Sequence, residues 1–121
     1  MRTANTPTIT LFGIPNCDTV KKSRAWFDTA GKAYLFHDFK KQGVPEAALR
    51  QWVKALGWEA LVNKKGTTWR KLDAAAQAAV IDEESAIALM LTNSSVIKRP
   101  VATNGQHVSV GYAPDAWGKM R

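Results

Sequence analysis

The sequence predicts an α/β domain built on a four-stranded mixed sheet, on three observations. A strand–loop–helix–strand run occupies the first forty residues. Fifty residues without a strand signal of any length follow. A β-hairpin and a short helix then close the chain.

Ile9-Thr10-Leu11-Phe12 is rich in strand-favouring side chains, and Gly13-Ile14-Pro15-Asn16 ends it as a loop. The pattern after Cys17 is helical, with Val20, Ala25, Trp26 and Phe27 assigned to one apolar stripe and Gly31 as the stop. Tyr34 to Phe39 reads as a second strand. A strand–helix–strand unit this short makes the two strands parallel, with a right-handed crossover. Lys40-Lys41-Gln42-Gly43 leaves the sheet.

Pro45 suits the first position of a helix carrying Leu49, Trp52, Val53 and Leu56 and closed by Gly57; Trp58 to Val62 adds a turn. A polar loop runs from Asn63 to Thr68. Asp73 caps an alanine-rich helix over residues 74–79, and Asp82 caps a longer one with Ala86, Ile87, Met90 and Leu91 inward. Strand character returns at Ser95-Val96-Ile97, breaks at Lys98-Arg99-Pro100 and resumes at Val101-Ala102-Thr103. Asn104-Gly105 is a two-residue hairpin turn leading into His107 to Val110, and Pro114 opens a terminal helix containing Trp117. The expected organisation is a single domain over 1–121, with its core from 8–40 and 95–121 and a helical insertion over 44–92. By analogy, this element order is the thioredoxin-like arrangement. Folds of that kind often place a cis-proline beside a reactive cysteine, a position that Pro100 occupies here.

The only cysteine, Cys17, stands where a strand gives way to a helix. The first N–H groups of a helix lack internal partners, and their summed dipole favours an anion. A cysteine there is expected to hold more of its sulfur as thiolate, the nucleophilic form. Most lone cysteines are small buried hydrophobes; the local context is what argues for reactivity. Lys21 and Lys22, one turn on, add positive potential but also read as solvated surface.

Bulk properties narrow the classes. With 45% hydrophobic and 22% charged residues, the composition is that of a water-soluble globular protein. One cysteine allows no internal disulfide and fits a reducing, cytoplasmic compartment. Met1 to Pro7 is a loose polar lead without a signal-peptide core, and no apolar run reaches membrane-spanning length. Seventeen basic against ten acidic residues give +7, but the cations come in scattered pairs. With no basic run, Walker loop or zinc-ligand cluster, an anionic small substrate is favoured over nucleic acid, and no metal or bound cofactor is expected. His107, alone on a strand, reads as surface or packing. A monomer is the default.

Gly13-Ile14-Pro15-Asn16-Cys17-Asp18-Thr19 and Ile97-Lys98-Arg99-Pro100-Val101 together resemble the arsenate reductase (ArsC) family, closest to its YffB- and Spx-like members. The likeness spans about Ile9 to Trp117, including Trp69-Arg70-Lys71-Leu72. It implies a thioredoxin-like fold and a cysteine that attacks an oxidised or oxyanionic substrate and is then reduced by glutathione and glutaredoxin. Cys17 matches the nucleophile and Arg99 one oxyanion-holding arginine. A second such arginine is replaced by Asn63, and a third by Gly111 or Tyr112, which weighs against arsenate reduction because asparagine cannot reproduce a bidentate, permanent charge. Spx-type regulators carry a CxxC switch in this loop; the sequence here is Cys17-Asp18-Thr19-Val20.

The expected activity is therefore a glutathione-dependent thiol reductase with a single nucleophile, Cys17, resolved by an external thiol. Arg99 and Lys98 are expected to hold an anionic group of the partner molecule, and Asn16 and Thr19 to orient the thiolate; Pro100 and Asn63 complete the expected substrate contacts. The alternatives are arsenate reduction proper and a non-catalytic, Spx-like protein docking on RNA polymerase.

Overall fold

The computed structural model describes residues 8–121, so the expected polar lead lies outside the described residues. Contacts divide the described residues into two compact units, one formed by residues 8–38 and Arg99–Arg121, the other by Phe39–Lys98.

In the first unit, β1 (Thr10–Gly13) leads through Ile14–Cys17 into α1 (Asp18–Ala30), then β2 (Leu35–Asp38), β3 (Val101–Thr103), β4 (Val108–Val110) and α8 (Pro114–Lys119). The sheet order is β2-β1-β3-β4, with β1 and β2 parallel and the other pairs antiparallel, the mixed four-stranded sheet that the element order predicts. Leu11 pairs with Phe36 and Ala102, and Ala102 with Ser109. Strand alternation therefore sets Phe36, Leu11, Ala102 and Ser109 in one row on one face. That row meets a cluster in which Ile9, Phe27, Trp117 and Met120 are buried and Trp26 and Tyr34 half-buried. Gly31 ends α1 at φ 67, a left-handed conformation open to glycine, with its N–H donating to Asp28 O at 3.2 Å.

Three expectations for this unit shift. Ala25 is exposed: at 100° per residue it lies roughly 140° round the helix from Val20, while Val20, Ser23 and Phe27 are the buried positions. The hairpin reverses through Gly105 and Gln106, one residue later than expected. Thr103 pairs with Val108, the Asn104 N–H donates to His107 O at 3.3 Å, and Gly105 takes φ 94. Asn104 serves as a side-chain acceptor, with its Oδ1 taking the N–H groups of Gln106 (3.0 Å) and His107 (2.8 Å). Residues 34 and 39 fall outside β2, and Phe39 begins the next helix.

The second unit holds α2 (Phe39–Gln42), α3 (Glu46–Leu56), α4 (Trp58–Leu61), α5 (Thr67–Lys71), α6 (Ala74–Ala78) and α7 (Glu83–Thr92). Leu49, Trp52 and Val53 are the buried stripe of α3; Leu61 is buried on α4, and Ala86, Ile87 and Met90 on α7. Lys40-Lys41-Gln42 forms a helical turn rather than a plain exit from the sheet. Pro45 is the residue before α3, not its first residue, and Thr67 and Thr68 start a helix instead of ending a loop. The expected strand at Ser95–Ile97 is a 3-10 turn, Ser94–Val96, followed by one isolated bridge from Ile97 to Val62. The N–H groups of Val96 and Ile97 go to Asn93 and Ser94 carbonyls inside the turn, leaving too few free groups for a ladder.

Both predicted aspartate caps form. Asp73 Oδ1 accepts the Ala76 N–H at 2.7 Å, and Asp82 Oδ1 the Ser85 N–H at 2.9 Å, with Ser85 Oγ returning to the Asp82 N–H to complete a capping box. The Ser85 bonds hold the Asp82 carboxyl below its ordinary range. A lowered folded-state pKa contributes stability that is present above the unfolded value and lost as pH falls through the folded one. Asp82→Ala should therefore lower the urea midpoint at neutral pH, and the gap to wild type should narrow in acid. A pH-independent gap would show that the carboxylate charge is not what caps α7.

Candidate active site

β1 and β3 run antiparallel with Phe12 opposite Val101, so the end of β1 and the start of β3 share one end of the sheet. The ends of β2, at Asp38, and β4, at Val110, fall there too. Three features far apart in sequence thus fall at one end of the sheet: the Cys17 loop, the Arg99-Pro100 step and the Gly111-Tyr112 segment.

Cys17 is the N-cap of α1. Its backbone is extended (φ −145, ψ 126), its carbonyl accepts the Lys21 N–H at 2.9 Å, and no side-chain bond closes the cap. The thiol is half-buried and free. It therefore sits beside the unbonded N–H groups of a 13-residue helix.

Asn16 and Thr19 flank it and are both exposed. Neither is the capping residue: Asn16 precedes the cap and Thr19 follows it by two, its carbonyl accepting Ser23 Oγ at 2.6 Å. What seats α1 this close to the sheet is Gly13. A Cβ on Gly13 would come within 2.9 Å of Val20 Cγ2, and Val20 is fully buried. Valine is stiff at χ1 and has no flexible end to swing aside. Gly13→Ala should cost about 1–3 kcal/mol in urea denaturation and slow Cys17 alkylation, because α1 must retreat. An unchanged midpoint would mean that Val20 is not what fixes the approach.

The Arg99–Pro100 peptide is cis, as expected of a thioredoxin-like arrangement. Pro100 is buried, and its carbonyl accepts the Gly111 N–H at 2.9 Å. Arg99 is half-buried, with its Nε shielded from solvent. Gly111 is buried at φ 81, and Tyr112 lies partly exposed beside it.

Tyr112 is the residue that sequence reasoning treated only as a missing arginine. Its ring receives Lys22 Nζ at 4.2 Å from the centroid and stands edge-on to Trp117 at 5.4 Å. Lys22 is thereby held by an aromatic face rather than waving free in solvent, and it ties α1 to the segment after β4. Ninety residues separate the two, and no local pattern announces such a pair.

Asn63 and Lys98 belong to the second unit and share a cavity there with Lys64 and Lys65. Among the described residues, no group of three or more histidine, cysteine, aspartate and glutamate side chains is placed to hold a metal, and no helix is long and apolar enough to cross a membrane.

Comparison with known proteins agrees with this arrangement. The profile described as the ArsC family matches residues 12–120. A solved structure of a protein named YFFB superposes with a TM-score of 0.85 at 47% identity, covering 91% of this chain and 96% of that one. An uncharacterized protein of Haemophilus influenzae is 36% identical over 104 residues, 86% of this chain and 90% of its own. The global transcriptional regulator Spx of Streptococcus agalactiae is 27% identical over 112 residues, 88% of this chain and 78% of its own.

Proposed function

The chain belongs to the ArsC family, and from that premise we propose that it is a thiol-dependent reductase in which Cys17 is the nucleophile and glutathione the resolving thiol. The observation that carries this is the placement of the one cysteine as N-cap of α1, half-open to solvent, at the sheet end that also bears the Arg99–Pro100 step.

The Cys17 thiolate attacks one sulfur of a disulfide R–S–S–R′, forming Cys17–S–S–R and releasing R′–S⁻. A first glutathione thiolate attacks the Cys17 sulfur and displaces R–S⁻. A second attacks the glutathione sulfur of the new mixed disulfide, yielding oxidised glutathione and the free Cys17 thiolate. Two electrons pass from two glutathione molecules to the substrate. The chain contains no second cysteine, so the resolving thiol must come from outside. Arg99 and the unbonded N–H groups of the first turn of α1 supply the positive field for the sulfur and for an anionic group of the partner molecule. Asn16 and Thr19, which flank the sulfur in sequence, orient the thiolate, and Pro100 contributes through the cis step at the same end of the sheet. A monomer suffices, and a coupled glutaredoxin can replace free glutathione.

The test is glutathione-dependent reduction of a small mixed disulfide, comparing wild type with Arg99→Ala and Arg99→Lys. The alanine variant should lose about tenfold in kcat/KM, with the lysine variant between the two. Equal rates for all three would remove Arg99 from the mechanism.

Arsenate reduction is a narrower reading, and Asn63, Gly111 and Tyr112 weigh against it. With glutathione and glutaredoxin supplied, arsenate turnover should stay at the level without enzyme. Robust turnover would show that one arginine suffices. The Spx likeness favours a second reading, a regulator that docks on RNA polymerase. It predicts polymerase binding that survives loss of the thiol.

A further inference from the structure

The second unit carries a cationic cavity that the thiol chemistry does not use. About 280 Å³ in volume, it is lined by Lys64, Lys65 and Lys98 together with Asn63, Glu59 and Val62. Three ammonium groups against one carboxylate leave a net charge of +2 on the lining. None of the three lysines makes an ion pair among the described residues.

The scaffold beneath the lysines is fixed. The Val62–Ile97 bridge is flanked by two short backbone bonds, Asn63 N–H to Val96 O and Lys98 N–H to Leu61 O, both 2.7 Å. These hold Lys98 across from the Asn63-Lys64-Lys65 turn. Asn63 organises that turn: its Oδ1 accepts the Lys65 N–H at 3.2 Å and its carbonyl the Gly66 N–H at 3.2 Å. A Cβ on Gly66 would come within 2.9 Å of Asn63 Nδ2, so a larger residue there would shift the Asn63 side chain. Lys64 Nζ lies 5.6 Å from the Trp58 ring centroid and 5.4 Å from that of Trp69, so its position is set by two indole faces.

We propose that this cavity binds a phosphate dianion, either free or as the head of a small phosphomonoester. Clustered like charges repel one another, and a dianion relieves that repulsion while accepting from several ammonium donors at once. Lysines act as compact point charges that can approach a tetrahedral anion from different sides, whereas planar bidentate recognition of a carboxylate calls for arginine. The volume admits a phosphate with a few further heavy atoms. The lining comes wholly from the second unit, and phosphate binding there can be tested without reference to Cys17.

The experiment is a titration of the reduced, full-length protein with inorganic phosphate and, separately, glycerol 3-phosphate, at constant ionic strength set with chloride. Backbone amide and indole N–H resonances are followed by NMR. Saturable shifts at Lys64, Lys65, Lys98 and the Trp58 and Trp69 indoles are expected, and Lys98→Ala and Lys65→Ala should each weaken binding about tenfold. Tighter binding of the ester than of inorganic phosphate would identify the phosphomonoester as the ligand; equal binding would identify the free anion. Lys64→Gln, an exposed and nearly isosteric change, guards against a folding artefact and should also weaken binding. Non-saturating shifts, shifts matched by chloride or citrate, or affinity unchanged in all three variants would overturn the proposal.

Discussion

Cys17→Ser is expected to abolish glutathione-dependent disulfide reduction, lowering kcat/KM by at least about 10³-fold, while circular dichroism and the urea midpoint stay those of wild type. Serine preserves the shape of the N-cap and is itself a favoured capping residue, so the helix has no reason to loosen. The hydroxyl is protonated at neutral pH and cannot form a disulfide, so the covalent step disappears completely. No second cysteine can take over. Residual turnover within tenfold of wild type would place the chemistry elsewhere and refute the reductase proposal. The same variant separates the enzyme from the regulator. If polymerase binding were present in wild type and retained in Cys17→Ser, with no disulfide turnover in either, the docking reading would replace the catalytic one.

The relation to Spx makes that comparison physical rather than taxonomic. A switch built on CxxC needs its second sulfur three residues along the first turn of α1. Here that position is Val20, fully buried and pressed against Gly13. The residue that would carry a second thiol serves instead to dock the helix on the sheet. Any disulfide that Cys17 forms must therefore take its second sulfur from outside the chain.

Much of this site was legible because its signals are local. A glycine–proline loop between a strand and a helix locates Cys17; Asp73, Asp82 and Gly31 mark helix ends through bonds to residues within five positions, and Pro114 marks one by its fixed φ at the first turn. The misplacements arose where local preference competes with an alternative partner. Val96 and Ile97 favour strands, yet the N–H groups there are taken by the preceding turn. Asn104-Gly105 is a good two-residue turn, but the Asn104 side chain accepts two N–H groups from beyond the bend and moves the reversal one residue on. The Lys22–Tyr112 contact and the pairing of Lys98 with the Asn63 turn were invisible for another reason. Each depends on bringing distant segments together, which no window of residues contains.

Trp117→Ala is expected to destabilise the fold severely, costing about 3–5 kcal/mol of the 5–15 kcal/mol typical of a domain. The side chain is fully buried on α8, with ring centroids 5.1 Å from Phe27, 5.4 Å from Trp26 and 5.4 Å from Tyr112. Its Nε1–H donates to Ser109 Oγ at 3.0 Å, at the β4 end of the row that crosses the sheet. Truncation removes the largest apolar surface in this core and leaves a cavity among aromatic rings too rigid to collapse into it. It also deprives the buried Ser109 hydroxyl of its donor. Trp117→Phe separates the two terms: the ring stays, the donor goes, and the loss should be nearer 1–2 kcal/mol. Because Tyr112 rests edge-on against Trp117 and carries Lys22 on its face, the alanine variant should also release Lys22 from Tyr112. The Lys22 side-chain resonances should then lose the ring-current shift that the tyrosine imposes. Equal urea midpoints for the alanine and phenylalanine variants would show that the hydrogen bond to Ser109, rather than filled volume, is what Trp117 contributes.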